Sequence, residues 1–152
     1  MKVAIDTNVL AYAEGVNDPG RAEAARDLIS RLPRPGIVIP VQVLGELFHV
    51  LVRKARRPAV EARQAILDWQ RTFTVADTSS GALLAAGDLA VDHRFGFWDA
   101  VILSVAAEAG CRLVLSEDMQ DGFTWRGLTI VDPFASPRHP LLTALVTESP
   151  AP

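Results

Sequence analysis

The sequence predicts an α/β domain whose parallel sheet is covered by helices on both faces. Three observations carry this expectation. Short apolar runs alternate with stretches in which apolar residues recur every three or four positions. The runs are apolar throughout, as strands buried on both faces are, and the alternation continues without repeat or linker nearly to Asp132.

The first run, Lys2 to Ile5, stops at Asp6 and passes through Thr7-Asn8 into a helix over Val9 to Ala13. Asn17-Asp18-Pro19-Gly20 is a turn or cap signal. A helix follows, marked by Ala22, Ala25, Leu28, Ile29 and Leu32 and stopped by Pro33 and Pro35. Ile37-Val38-Ile39 makes the second strand. Val43, Leu44, Leu47, Val50 and Leu51 then mark an amphipathic helix ending in the basic group Arg53, Lys54, Arg56 and Arg57, which suits a helix C-terminus. Pro58 opens the next helix, with Val60, Ile66, Leu67 and Trp69 on one face, and Phe73-Thr74-Val75 is the third strand. Asp77-Thr78 starts a helix through Ala90, and Phe97 to Ala109 forms another, closed by Gly110. Arg112 to Leu115 and Leu128 to Val131 complete a sheet of five strands. Beyond Pro133 the prolines Pro137, Pro140, Pro150 and Pro152 flank one apolar stretch, Leu141 to Val146, which reads as a loosely attached Pro-rich tail over 135–152.

Composition narrows the function. The chain has 152 residues, 49% apolar and 22% charged, the profile of one globular domain. The single cysteine, Cys111, excludes an internal disulfide framework and Cys-rich zinc or iron–sulfur sites, and fits a reducing cytoplasm. No apolar run reaches the roughly 20 residues that span a bilayer, and Asp6 comes too early for a signal-peptide core, so no membrane association is expected. A net charge of -3 argues against holding nucleic acid by bulk electrostatics, unless several acids are gathered around divalent cations.

Four acids fall where such a site would be. In an open parallel sheet the functional crevice lies outside the carboxyl ends of the strands, where Asp6 and Asp118 are expected. Each alone also fits a helix cap or a turn. Glu46, three after Val43 and four before Val50, lies along the apolar side of its helix. Asp99, three before Ile102 and four before Leu103, also points inward, and both belong to helix starts at the same sheet edge. A first-turn acid at Asp99 and a core-edge carboxylate at Glu46 are the plainer alternatives. If the four converge, repulsion of roughly 3 kcal/mol per pair at 5 Å must be relieved by protons or cations. With hard oxygen donors and no Cys or His nearby, the cations expected are Mg²⁺ or Mn²⁺.

Asp6-Thr7-Asn8, Leu44-Gly45-Glu46-Leu47, Phe97-Trp98-Asp99-Ala100 and Ser116-Glu117-Asp118, in this order, resemble the PIN-domain family and most closely its VapC-type ribonuclease toxins. The resemblance runs from Met1 to about Phe134, making 1–134 the nuclease domain. It implies a PIN-like three-layer α/β/α fold and a metal-dependent endoribonuclease that leaves a 5′-phosphate and a 3′-hydroxyl. It also implies a homodimer inhibited by a small antitoxin protein. Carried over by position, Asp6, Glu46, Asp99 and Asp118 are the catalytic and metal residues, with Thr7, Asn8 and Ser116 orienting them. No protein nucleophile is needed, and His49, His93 and His139 are scattered.

The basic group reads equally as a solvated helix end or an RNA contact, and Asp121 as a further acid or a turn residue. A haloacid-dehalogenase-type phosphatase needs a second Asp where Asn8 stands. A receiver domain needs an acidic pair and a lysine that are missing, and no glycine-rich phosphate loop is present. The reading from another class is a catalytically silent PIN-like module that binds RNA or protein.

Overall fold

The computed structural model describes residues 1–147. The chain runs β1 (Lys2–Ile5), α1 (Thr7–Ala13), α2 (Pro19–Arg31), β2 (Ile37–Pro40), α3 (Val41–Arg53), α4 (Ala59–Thr72), β3 (Thr74–Ala76) and α5 (Ser80–His93). It continues through α6 (Phe97–Glu108), β4 (Cys111–Leu115), β5 (Thr124–Trp125), β6 (Leu128–Val131) and α7 (Pro140–Thr147). The strands form one sheet in the order β3-β2-β1-β4-β6-β5, parallel except for β5 against β6.

This order places the site. The chain builds outward from β1 to β2 and β3, then crosses back to set β4 on the other side of β1. Val3 faces Ile37 on one side and Leu113 on the other. Right-handed crossovers therefore send α1 to α4 and α5 to α6 to opposite faces, and the connections diverge at the carboxyl ends of β1 and β4. The Asp6 N–H extends that pairing by donating to the Leu115 carbonyl at 3.0 Å.

Local sequence explains the neighbouring elements. Asp18 caps α2, its carboxylate accepting from the N–H groups of Gly20 and Arg21 at 2.8 and 3.1 Å. Helix α6 is buried from Ala100 through Ala106, because it is apolar on every side and fills the layer beneath β2, β4 and β6. Helix α3 is amphipathic, burying Val43, Leu44, Leu47 and Leu51 and leaving its other face to solvent.

Two expectations are corrected. The sheet has a sixth strand, β5, joined to β6 by Arg126-Gly127, both at positive φ (49° and 78°). This is a two-residue hairpin whose first arm is too short to show an alternating pattern. The segment after Pro133 is not loosely attached as far as it is described. Helix α7 buries Leu142 and Leu145 in the main core, because Leu141, Leu142, Leu145 and Val146 share one helical face. The remainder of the expected tail, 148–152, lies outside the described residues. A smaller difference is that α5 begins at Ser80, capped by the Ser79 hydroxyl accepting from Ala82 N–H, rather than at Asp77.

Candidate active site

Asp6 follows the last residue of β1 and caps α1, as the plainer cap reading expects. Its side chain is buried, 4% exposed, and each oxygen is taken by neutral donors. Oδ1 accepts the Thr7 N–H at 2.7 Å, and Oδ2 accepts from Ser116 Oγ at 2.8 Å and Asn8 Nδ2 at 3.0 Å. Ser116 Oγ in turn accepts the N–H groups of Asp118 and Met119, both at 3.2 Å, so one hydroxyl ties the end of β1 to the loop that carries Asp118. Asn8 Oδ1 takes the Glu117 N–H at 3.1 Å. Glu117 itself leaves the site, turning onto Arg21 at 3.2 Å.

Glu46 is held one helix away. Thr7 Oγ1 donates to its Oε2 at 2.7 Å and Gln42 Nε2 to its Oε1 at 3.0 Å. Asp99 sits in the first turn of α6, half-buried, and enters none of the side-chain hydrogen bonds among the described residues. Asp118 is exposed on the loop after β4. All four acids line one open cleft of about 860 Å³, with Thr7, Asn8 and Tyr12 beside them.

The electrostatics are lopsided. Burial pushes the Asp6 carboxyl up to about 7 against the hydrogen bonds from Ser116 and Thr7, and Asp99 and Glu46 push the same way. Burial, then Glu46 and Asp118, raise Asp99 as well. None of the four acids has a Lys or Arg ion-pair partner among the described residues. Carboxylates oriented by neutral donors and left without a cation suit a hard divalent ion. Among the described residues, no three His, Cys, Asp or Glu side chains already close around a common point. The exposed side chain of Asp118 and the half-buried one of Asp99 are the ones with room to move.

The remaining candidates separate cleanly. Asp121 is a turn residue, its Oδ1 accepting the Asp132 N–H at 2.9 Å. Of the basic group, Lys54 lines the cleft, Arg57 pairs with Glu14 at 2.9 Å, and Arg53 and Arg56 are exposed. His93 packs edge-on against Phe123, and His139 Nδ1 accepts the Leu141 N–H. Burial pushes the Cys111 thiol up to about 11, with Lys2 pulling weakly the other way, which leaves it a poor nucleophile. Sequence reasoning missed Gln42 and His49 on the cleft wall. Their spacing of four before and three after Glu46 on one helix is the signal that finds them.

Residues 3–120 match the PIN domain family. The chain belongs to that family. Among solved structures its fold is similar to Mycobacterium tuberculosis VapC20, described as a sarcin-ricin-loop-cleaving toxin, at 22% identity and a TM-score of 0.65. That match covers 77% of this chain and 90% of the other. A toxin–antitoxin complex from Klebsiella pneumoniae matches at 19% identity and TM-score 0.66, over 88% of this chain and 98% of the other. PAE2754 from Pyrobaculum aerophilum matches at 20% identity and TM-score 0.64, over 97% and 96%. No curated protein matches in sequence. No helix among the described residues is long and apolar enough to cross a membrane.

Proposed function

We propose that this PIN domain is a Mg²⁺- or Mn²⁺-dependent endoribonuclease, the toxin of a toxin–antitoxin pair. In this reading it acts in the cytoplasm as a homodimer restrained by a small antitoxin protein. One observation carries the reading: four acids at the sheet's switch point line an open cleft, Asp6 and Glu46 oriented by neutral donors, and none of the four is ion-paired to a basic side chain among the described residues. Membership of the PIN family and the fold shared with VapC20 and with the Klebsiella toxin–antitoxin complex support it.

Asp6 and Asp99 would hold the ion directly, with Glu46 and Asp118 ligating through water or a second ion. A bound divalent ion supplies Lewis acidity and lowers the pKa of water for attack on a phosphodiester. The chain's own residues do the positioning. Ser116, Asn8 and the Thr7 N–H fix both oxygens of Asp6, while Thr7 Oγ1 and Gln42 fix both oxygens of Glu46. Thr7 thus sets the spacing between the two carboxylates through two of its own atoms.

The test is to induce the wild type and Asp99→Asn in a bacterial host and map new RNA 5′-phosphate ends, with a purified Mn²⁺ cleavage assay alongside. Ends and cleavage confined to the wild type are expected. A second reading, the catalytically silent module that binds RNA or protein, is favoured by the lack of a closed three-ligand group among the described residues. It prevails if the folded wild type yields no new ends and cleaves no RNA with Mn²⁺.

A further inference from the structure

Helix α3 lines the cleft along most of its length. Gln42, Gly45, Glu46, His49, Val50 and Lys54 follow one another at helical spacing on the cleft wall. The stripe runs from acid to base, because Lys54 stands eight residues beyond Glu46, about 12 Å along the helix axis. Lys54 is the sole Lys or Arg among the described cleft-lining residues. Arg57 is unavailable, since Glu14 holds its guanidinium.

Gly45 gives the stripe its second property. Glycine within a helix weakens it relative to alanine, so an interior glycine needs a reason. Packing supplies none: a Cβ built on Gly45 meets no atom within 4 Å. The residue is exposed beside Glu46 and leaves the helix backbone bare on the cleft wall. That is what close approach by a ligand strand requires.

We propose that α3 is the track on which the RNA strand lies. The strand crosses the bare backbone at Gly45, with the scissile phosphate at the acids and a second phosphate about 12 Å further on at the Lys54 ammonium. This inference rests on the nuclease reading of the same site and adds the path of its substrate.

The experiment measures binding of a fluorescent single-stranded oligoribonucleotide to Asp99→Asn protein across a salt series, with Lys54→Ala, Gly45→Gln or Arg63→Ala added. Arg63 is an exposed cation on α4, outside the cleft, so Arg63→Ala matches the charge loss of Lys54→Ala. Lys54→Ala should weaken binding about five- to tenfold at low salt and flatten the log–log salt slope by about 0.7. Arg63→Ala should change it less than about twofold. Gly45→Gln should raise the melting temperature by about 1–3 °C and yet weaken binding about tenfold, an opposition a purely structural glycine would not show. Equal effects of Lys54→Ala and Arg63→Ala, or unchanged binding by Gly45→Gln, would overturn the track while wild-type cleavage with Mn²⁺ stands. Absence of both binding and wild-type cleavage would overturn the nuclease reading along with it.

Discussion

The two ends of helix α1 carry two carboxylates with opposite fates. Glu14, at the C-terminal end, receives Arg57 at 2.9 Å and the Trp69 indole N–H at 2.8 Å, and Arg57 also donates to its backbone carbonyl. Asp6, at the N-terminal end, is more deeply buried but receives only neutral donors, and its charged neighbours are other acids. The first arrangement satisfies a charge and knits α1 to the α3–α4 connection and to α4. The second leaves a charge unsatisfied in a place open to solvent on one side. What separates the two acids is the partner: the protein supplies a cation to Glu14 and none, among the described residues, to Asp6.

Breaking the acid end should have the largest effect. Asp99→Asn should lower cleavage by 10²-fold or more, roughly 3 kcal/mol in the barrier, with the fold retained by circular dichroism. It is a cleaner probe than Asp6→Asn, because an amide at position 6 would face its NH₂ toward the Asn8 amide donor. Breaking the opposite end should instead cost stability. Arg57→Met strands Glu14 beside Trp69 and should lower unfolding free energy by about 1–3 kcal/mol in denaturant titration.

The pH dependence sharpens the contrast. With Asp6 pushed from 3.8 to about 7, the folded metal-free protein holds a proton that the unfolded chain has released between those values. Stability should therefore fall as pH rises from about 4 to about 7 and level off above, by about 4 kcal/mol. Asp6→Asn should flatten that profile. Mn²⁺ added at pH 7.5 should raise the melting temperature of the wild type by more than that of Asp99→Asn, as expected for an ion held by the folded form and not by the unfolded chain. The smallest effect is expected from Gln42→Ala, which frees one oxygen of Glu46 and should slow cleavage severalfold with little change in melting temperature.

Most of this arrangement is legible in the sequence for an identifiable reason. Strands such as Ile37-Val38-Ile39, buried on both faces, must be apolar throughout, and a carboxylate among helical apolar positions, as at Glu46 and Asp99, stands out against its neighbours. The hairpin arm Thr124-Trp125 is too short to carry a period, and the prolines around Leu141 to Val146 obscure a helix whose burial depends on the rest of the core. Lys54 and Arg57, three apart in one basic run, diverge because Glu14, from a distant helix, captures only the second. No pattern local to 53–57 contains that information.

The bond from Ser116 to Asp6 joins residues 110 positions apart in the chain. Thr7 and Asn8 reach the Asp6 carboxylate from its own helix, but the hydroxyl comes within reach only once β4 lies beside β1. A nascent chain emerging from the ribosome therefore carries Asp6, Glu46 and Asp99 in sequence before it carries them as a site. A product released before Ser116 is translated lacks the strap altogether. The donor set around Asp6 is therefore complete only when the β1–β4 pair has closed, a contact between distant parts of the chain.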